Sequence, residues 1–343
     1  MKVKDSEYTR QMNFLLTKNG TSLIEDNGTS LIEDNGTSLI EDNGTSLIED
    51  NGTSLIEDID NKPYKSIIST EYDGIIISGG ALHGILPLGG INYSIEHHML
   101  RDVHTYIGVS SGAITCYLLA LGYSPIDMLV YLIQNNIIEK MSKFNIYSMM
   151  EGDGALSFGV LQEHLEKMTI DKIGYFPTLK NMKDNYGITL IFITYDLTKK
   201  LKVCLSYETY PDLSCITALR MSANFPLIFP RFKYKDSYYI DGGLCDNFPI
   251  EIAAQRGLRV LCFLLKQNEE ESSTSRPFNM MEYLYDLVRI PINTILDMKI
   301  YTPNCTIITL SCGCFNILNI GLNSITKLEL FSSGYRQCKE QLG

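Results

Sequence analysis

Gly108-Val109-Ser110-Ser111-Gly112 sets a serine between glycines, behind the apolar run Val103–Ile107 and ahead of the helix-capable run Ala113–Leu121. A strand that turns sharply into a helix holds the central Oγ clear of the backbone, and glycines on either side relieve crowding. The helix start adds a positive dipole end that favours negative charge developing at Ser110. Such a segment suits a serine nucleophile. Upstream, Gly79-Gly80-Ala81-Leu82-His83-Gly84 follows Ile75–Ser78 and opens another helical stretch, so its N–H groups can converge on an anion. Ala81 stands where a dinucleotide fingerprint needs its second glycine, and His97, His98 and Met99 lie where its acid would be sought, with Glu96 and Asp102 close by. A nucleotide site is the weakest reading of that loop. Far downstream, Asp241-Gly242-Gly243 follows Tyr238-Tyr239-Ile240, which sets a carboxylate at a strand end or simply makes a turn.

These segments need a frame. After Pro63, short Ile/Val/Leu-rich runs alternate with longer helical patterns, the signature of an α/β domain with a mainly parallel sheet. Strands are expected at Gly74–Ser78, Val103–Val109, Gly187–Thr194, Lys202–Tyr207, Leu258–Leu265 and Cys305–Ser311. Helical patterns fall near 85–100, 111–121, 125–141, 160–168, 212–222, 249–256, 278–299 and 324–341. No Pro/Gly/Ser-rich linker interrupts residues 59–343, which therefore read as one domain. Within it, Phe278–Ile300 is rich in Met, Tyr, Leu and Ile, with Pro291 expected to kink or end a helix. A buried core helix is the simpler reading there, and a lid or interfacial helix the other.

With 45% hydrophobic and 20% charged residues among 343, the chain is globular in composition. Its net charge of −11 comes almost wholly from residues 19–58, five tandem Asn-Gly-Thr-Ser-Leu-Ile-Glu-Asp octets with two carboxylates and no cation apiece. The rest is nearly neutral, which argues against a nucleic-acid partner and suits a lipid or small molecule. An eight-residue period turns a helical wheel by about 80° per copy, and in a strand Leu and Ile face opposite sides, so the octets build no buried face. They read as a disordered spacer behind a short N-terminal segment, residues 1–18. Nine scattered cysteines and no apolar leader point to reduced thiols in the cytoplasm. No apolar run approaches the roughly 20 residues of a membrane span, so membrane contact would be peripheral. Cys312 and Cys314 are too few for a metal site, and His83, His97, His98, His104 and His164 lack metal-ligand spacing, so no metal or other cofactor is expected.

In order and spacing, the glycine loop, the Gly-x-Ser-x-Gly turn and the Asp-Gly-Gly segment resemble the patatin-like phospholipase family. Ala218–Pro230 looks like that family's Ala/Ser-rich helix and Pro-x-x-Phe-Pro segment, and Tyr238–Pro249 like its Asp-Gly-Gly-x-x-x-x-x-Pro run. The likeness covers about residues 71–265, with a C-terminal helix at Ser324–Gln341. It implies a three-layer α/β sandwich and a Ser110–Asp241 dyad in place of a triad, so no catalytic histidine is needed. It also implies an oxyanion hole from the N–H groups of Gly79, Gly80 and Ala81, supported by His83, Gly84, Gly108, Gly112, Gly242 and Gly243. The implied substrate is a fatty-acyl ester of a phospholipid or related lipid. A carboxylate can act as base there if a desolvated pocket raises its basicity. The family loop usually reads Gly-Gly-Gly-x-Arg/Lys-Gly, whereas this chain has Ala81 and His83. Ala81 is strained if the loop needs positive φ, and His83 makes the local charge depend on pH. A lipid-binding protein that has lost turnover and an esterase for a different ester are the rival readings.

Overall fold

The computed structural model describes residues 72–137, 140, 156–226, 228–267, 280–299, 304–312 and 322–343, all within one unit that begins at Ser66. The expectations for residues 1–18, the octets at 19–58, Cys314 and the Cys312 side chain lie outside the described residues.

Five short apolar runs become parallel strands: β1 (Gly74–Ile77), β2 (Thr105–Val109), β3 (Thr189–Asp196), then the later pair Val260–Gln267 and Cys305–Cys312. With β4 (Leu201–Leu205), β5 (Phe232–Tyr234) and β6 (Ser237–Asp241) between them, the later pair are β7 and β8. Parallel ladders join β3 to β2, β2 to β1, β1 to β7 and β7 to β8. The mixed character comes from β4 and β6, both antiparallel to β3, and from the β5–β6 hairpin.

Both sheet faces are covered, which is why the central strands read as continuous apolar runs instead of alternating ones. Ile76, Ile107, Ile191 and Cys262 point to one face and meet Phe248, Ile250 and Leu296. Ile75, Ile77 and Phe263, their neighbours of opposite parity, are equally buried on the other. Helices α1 (Ile85–Glu96), α2 (Ser111–Ala120), α3 (Pro125–Asn135), α4 (Gly159–Ile173), α5 (Leu179–Tyr186), α6 (Cys215–Ser222), α7 (Gly243–Asp246), α8 (Ile250–Gln255), α9 (Met280–Asp297) and α10 (Ser324–Leu342) flank the sheet. Chain order runs outward from β1 in both directions, through β2 on one side and β7 on the other. The order therefore reverses between β1 and β7, and the switch point where doubly wound sheets bind ligands lies at their carboxyl ends, with the end of β2 alongside β1.

Several elements were not expected, among them α5, the short α7 and the β5–β6 hairpin. Helix α5 has only Leu179 and Met182 buried, too few for a periodic signal, and it is set by a Thr178–Asn181 capping box and a left-handed Gly187. The β5–β6 hairpin turns through Lys235 at φ +52°, without the Asn-Gly or Asp-Gly pair that marks such turns in sequence.

Helix α9 also departs from the core-helix reading. It runs through Pro291 without ending. Tyr283, Leu287 and Ile290, spaced to share one face, are 41, 42 and 60% exposed; the side chains of Met280, Met281 and Leu284 lie outside the described residues. Just beyond it, Lys299 bridges the buried Asp246 at 2.9 Å and Glu251 at 2.7 Å, while Lys202 takes the other Asp246 oxygen at 2.9 Å. The end of α9 is thereby fastened to the segment that follows Asp241. Among the described residues no single helix is long and apolar enough to cross a membrane.

Candidate functional site

The register of β3 decides where the two chemically interesting side chains meet. Strand β2 pairs with Thr189–Ile193 and ends with Val109 opposite Ile193. On the other edge β4 pairs with Phe192–Asp196. Strand β6 also pairs with Thr194–Asp196, so it must share the edge that β2 has just vacated. It runs the opposite way, and its last residue, Asp241, sits opposite Thr194. Two strands thus end head to head on one edge of β3, with Ser110 leaving one and Asp241 closing the other. Gly242 then passes so close to β3 that a Cβ there would lie 2.1 Å from the Ile193 carbonyl oxygen.

Ser110 occupies φ +55°, ψ −124°, a conformation that costs a non-glycine residue energy and persists only where its surroundings hold it. The hold is visible. Its N–H donates to Ser222 Oγ at 3.1 Å, and that hydroxyl donates to the Ile193 carbonyl at 2.6 Å. Gly112 lets the start of α2 press on β1, since a Cβ there would sit 2.2 Å from the Ile77 oxygen. Gly108 packs in the same way on Ala113, and Gly84 faces Ser111.

The Asp241 carboxyl is 1% exposed. Its Oδ1 accepts the Gly243 N–H at 2.7 Å, while Oδ2 has no hydrogen-bond partner of good geometry. Burial pushes its pKa up to about 6, opposed by hydrogen bonding to the Ser110 hydroxyl and the Gly243 N–H. The Ser110 hydroxyl thus lies beside the carboxyl and favours its ionised form. Both residues line one cavity of about 400 Å³ whose remaining wall is largely apolar, including Leu88, Leu118, Met168, Phe225 and Phe229.

The glycine loop corrects one expectation. The Gly79 N–H is spent on Asn247 Oδ1 at 3.0 Å and the Gly80 N–H on Ser111 Oγ at 3.1 Å. Neither stands open to an oxyanion in this conformation. Ala81 adopts φ +49°, the strained alternative, and its N–H carries no internal hydrogen bond among the described residues. Ser111 opens α2, so its N–H has no acceptor within the helix. His83 is held below its ordinary pKa first by burial and also by the charge of Arg289, against a backbone hydrogen bond to Gly80 that raises it. Its charged form is disfavoured, and Arg289 of α9, whose charge acts on it, lines the same cavity, as does Lys266.

Three supporting residues escaped notice in the sequence. Asn247 lies inside the Tyr238–Pro249 run and Ser222 inside Ala218–Pro230, segments whose residue types alone assign them no role, and Ser111 carries no signal beyond its place in the serine turn. His97, His98 and His104 lie apart from the cavity, whereas His164 lines it, bonded through Nδ1 to the Tyr131 hydroxyl at 3.0 Å. Among the described residues no group of three or more His, Cys, Asp or Glu side chains is placed to hold a metal ion.

The patatin-like phospholipase family model matches residues 75–254, which include the glycine loop, Ser110 and Asp241. A protein of Invertebrate iridescent virus 6 named "Probable lipid hydrolase 463L" is 34% identical over 199 residues, 56% of this chain and 67% of that one. An uncharacterized protein of Acanthamoeba polyphaga mimivirus is 27% identical over 197 residues, 56% of this chain and 65% of its own length. VipD from Legionella pneumophila shares the fold at a TM-score of 0.50 and 18% identity, over 79% of this chain and 67% of that one. Half of the chain, with all three motif segments inside the match, is accounted for in this way, and the chain belongs to the patatin-like phospholipase family.

Proposed function

We propose that the chain hydrolyses fatty-acyl esters of phospholipids or closely related lipids, with Ser110 as nucleophile and Asp241 as its base. Family membership supports lipid ester hydrolysis in general. The observation that carries the finer reading is the strained Ser110 beside a desolvated carboxyl, both opening on an apolar cavity. Oγ attacks the ester carbonyl while Asp241 takes its proton. The tetrahedral oxyanion is held by the N–H groups of Ala81 and Ser111, with Gly79 and Gly80 fixing the shape of the loop. As the alkoxide leaves, Asp241 returns the proton to it. Water then gives a proton to Asp241 and attacks the acyl-enzyme, releasing fatty acid and restoring the Ser110 hydroxyl.

Fluorophosphonate labelling of the full chain beside Ser110→Ala tests the nucleophile, and fatty-acid release from phosphatidylcholine vesicles tests the reaction. Label on Ser110 together with release that vanishes in the variant is expected. Undiminished release by Ser110→Ala would remove the mechanism.

The acyl chain must come from a lipid surface. Helix α9 walls the cavity with Arg289, Ile292 and Leu296 and turns Tyr283, Leu287 and Ile290 outward. That outward stripe suits peripheral contact with a bilayer. A second reading, lipid binding without turnover, is favoured by the engaged Gly79 and Gly80 amides. Tight fatty-acid binding with no product after long incubation would select it.

A further inference from the structure

Arg220 is a buried cation outside the proposed chemistry. It lies on α6, two residues before the Ser222 that supports Ser110, and is 7% exposed. Among the described residues no carboxylate pairs with it, and Nη1 finds no acceptor. Instead Nη2 donates to the Pro230 carbonyl at 3.0 Å. The guanidinium carbon lies 4.1 Å from the centre of the Phe158 ring, 5.3 Å from Phe232 and 5.6 Å from Phe229. Phe158 and Phe229 meet edge to face at 5.1 Å.

Those partners belong to two segments that make one wall of the cavity. Phe158 caps the start of α4, which contributes Leu161 and Leu165 to the lining. Phe229 and Pro230 close the stretch whose Phe225 and Phe229 also line it. The two segments are also joined by a backbone bond, Leu156 N–H to the Ile228 carbonyl at 2.8 Å. A buried cation costs free energy that a hydrocarbon of similar volume would not. Its compensation here comes from aromatic faces and one carbonyl, and a planar guanidinium can satisfy these only if the rings keep their orientation. Burial lowers its pKa to about 10, so it stays charged at neutral pH.

We propose that Arg220 is a positioning residue that sets acyl-chain selectivity: by clasping Phe158, Phe229 and Pro230 it fixes the cavity wall against which a long, unbranched acyl chain lies. The proposal rests on the cavity being the acyl site. Loosening the clasp changes the shape of the wall and penalises chains long enough to reach it more than chains that end near Ser110.

The test compares the full chain with Arg220→Met, which fills the volume without charge; Arg220→Lys, which keeps charge but not the plane; and Phe229→Leu. Hydrolysis is read on p-nitrophenyl butyrate and palmitate. The palmitate-to-butyrate ratio of kcat/KM falls at least about tenfold in Arg220→Met, the scale on which apolar pockets discriminate chain length, with Arg220→Lys between it and the native chain. Phe229→Leu shifts the ratio in the same direction and supplies the reading if Arg220→Met does not fold. A folded Arg220→Met, or in its absence Phe229→Leu, with an unchanged ratio overturns the proposal, as does an equal loss on both esters. Displacement of a fluorescent fatty acid by free butyrate and palmitate, measured in a Ser110→Ala background, reads the wall without turnover. Chain-length-dependent binding that responds to Arg220 in a native chain that hydrolyses nothing would refute the hydrolase reading and keep the clasp.

Discussion

Asn247 grips Gly79 at both of its backbone polar groups: Oδ1 accepts the Gly79 N–H at 3.0 Å, and Nδ2 donates to the Gly79 carbonyl at 3.1 Å. A side chain six residues after Asp241 thereby fixes the first residue of the glycine loop relative to the base. Replacing it with Ala removes two hydrogen bonds and leaves a half-buried amide and carbonyl without partners. At about 1 kcal/mol each, that corresponds to roughly a 10- to 30-fold loss. The loss should fall on kcat more than on KM, because the loop is expected to act on the oxyanion and not on the acyl chain. Steady-state kinetics on a soluble ester check the split.

Ser110→Ala and Asp241→Asn are expected to lower ester hydrolysis at least about a thousandfold each, with little further loss in the double variant, since the two groups act as a unit. Asp241→Asn should also slow fluorophosphonate labelling of Ser110, which reads the base without any lipid present. Labelling at the native rate would show that Ser110 is activated by some other group.

Asp241 carries its pH dependence in two directions. It must be ionised to accept the Ser110 proton, so activity should rise with pH through about 6. Stability should run the other way. Below the ordinary value of 3.8 the carboxyl is protonated in both states; between there and about 6 the unfolded chain releases its proton first, so folding weakens as pH rises, and above 6 the full penalty remains. Thermal melts should therefore show Asp241→Asn more stable than the native chain at pH 7, with the advantage gone near pH 4.

Two backbone substitutions should part company. Gly112→Ala drives a Cβ to 2.2 Å from the Ile77 oxygen and 2.7 Å from that of Ser78, contacts between rigid backbone segments, and should cost about 2–3 kcal/mol in a denaturant melt. Ala81→Gly instead relieves a positive φ of 49° and should be neutral or stabilising by up to about 1 kcal/mol. A destabilised Ala81→Gly would mean that the loop is not strained there.

Replacing Leu287 and Ile290 together with Ser should weaken association with phosphatidylcholine vesicles at least tenfold, since burying one such side chain contributes about 1.5–3 kcal/mol. Hydrolysis of a monomeric short-chain ester should change far less than hydrolysis of vesicle lipid. Equal sedimentation of native and variant chains would place the bilayer contact elsewhere.

The fold class, the parallel strands and the three motif segments were legible because each is written locally. An apolar run between turn residues specifies a strand wherever it occurs, and a serine between glycines at a strand–helix junction specifies a tight turn. Helix α5 and the β5–β6 hairpin were not, because a two-residue apolar contact and a Lys-Asp turn carry almost no local signal. The exposure of α9 depends on which of its apolar faces finds the sheet, a question its composition does not contain.

Residue types and their spacing thus determined that a hydroxyl, a carboxylate and a run of amides were available. Only the tertiary structure decided that β2 and β6 finish against each other on one edge of β3, and that Asn247 and Ser111 occupy two of the amides expected to be open. Those outcomes are set by strand register and by contacts between segments 31 and 168 residues apart, which exist only once the chain has closed on itself.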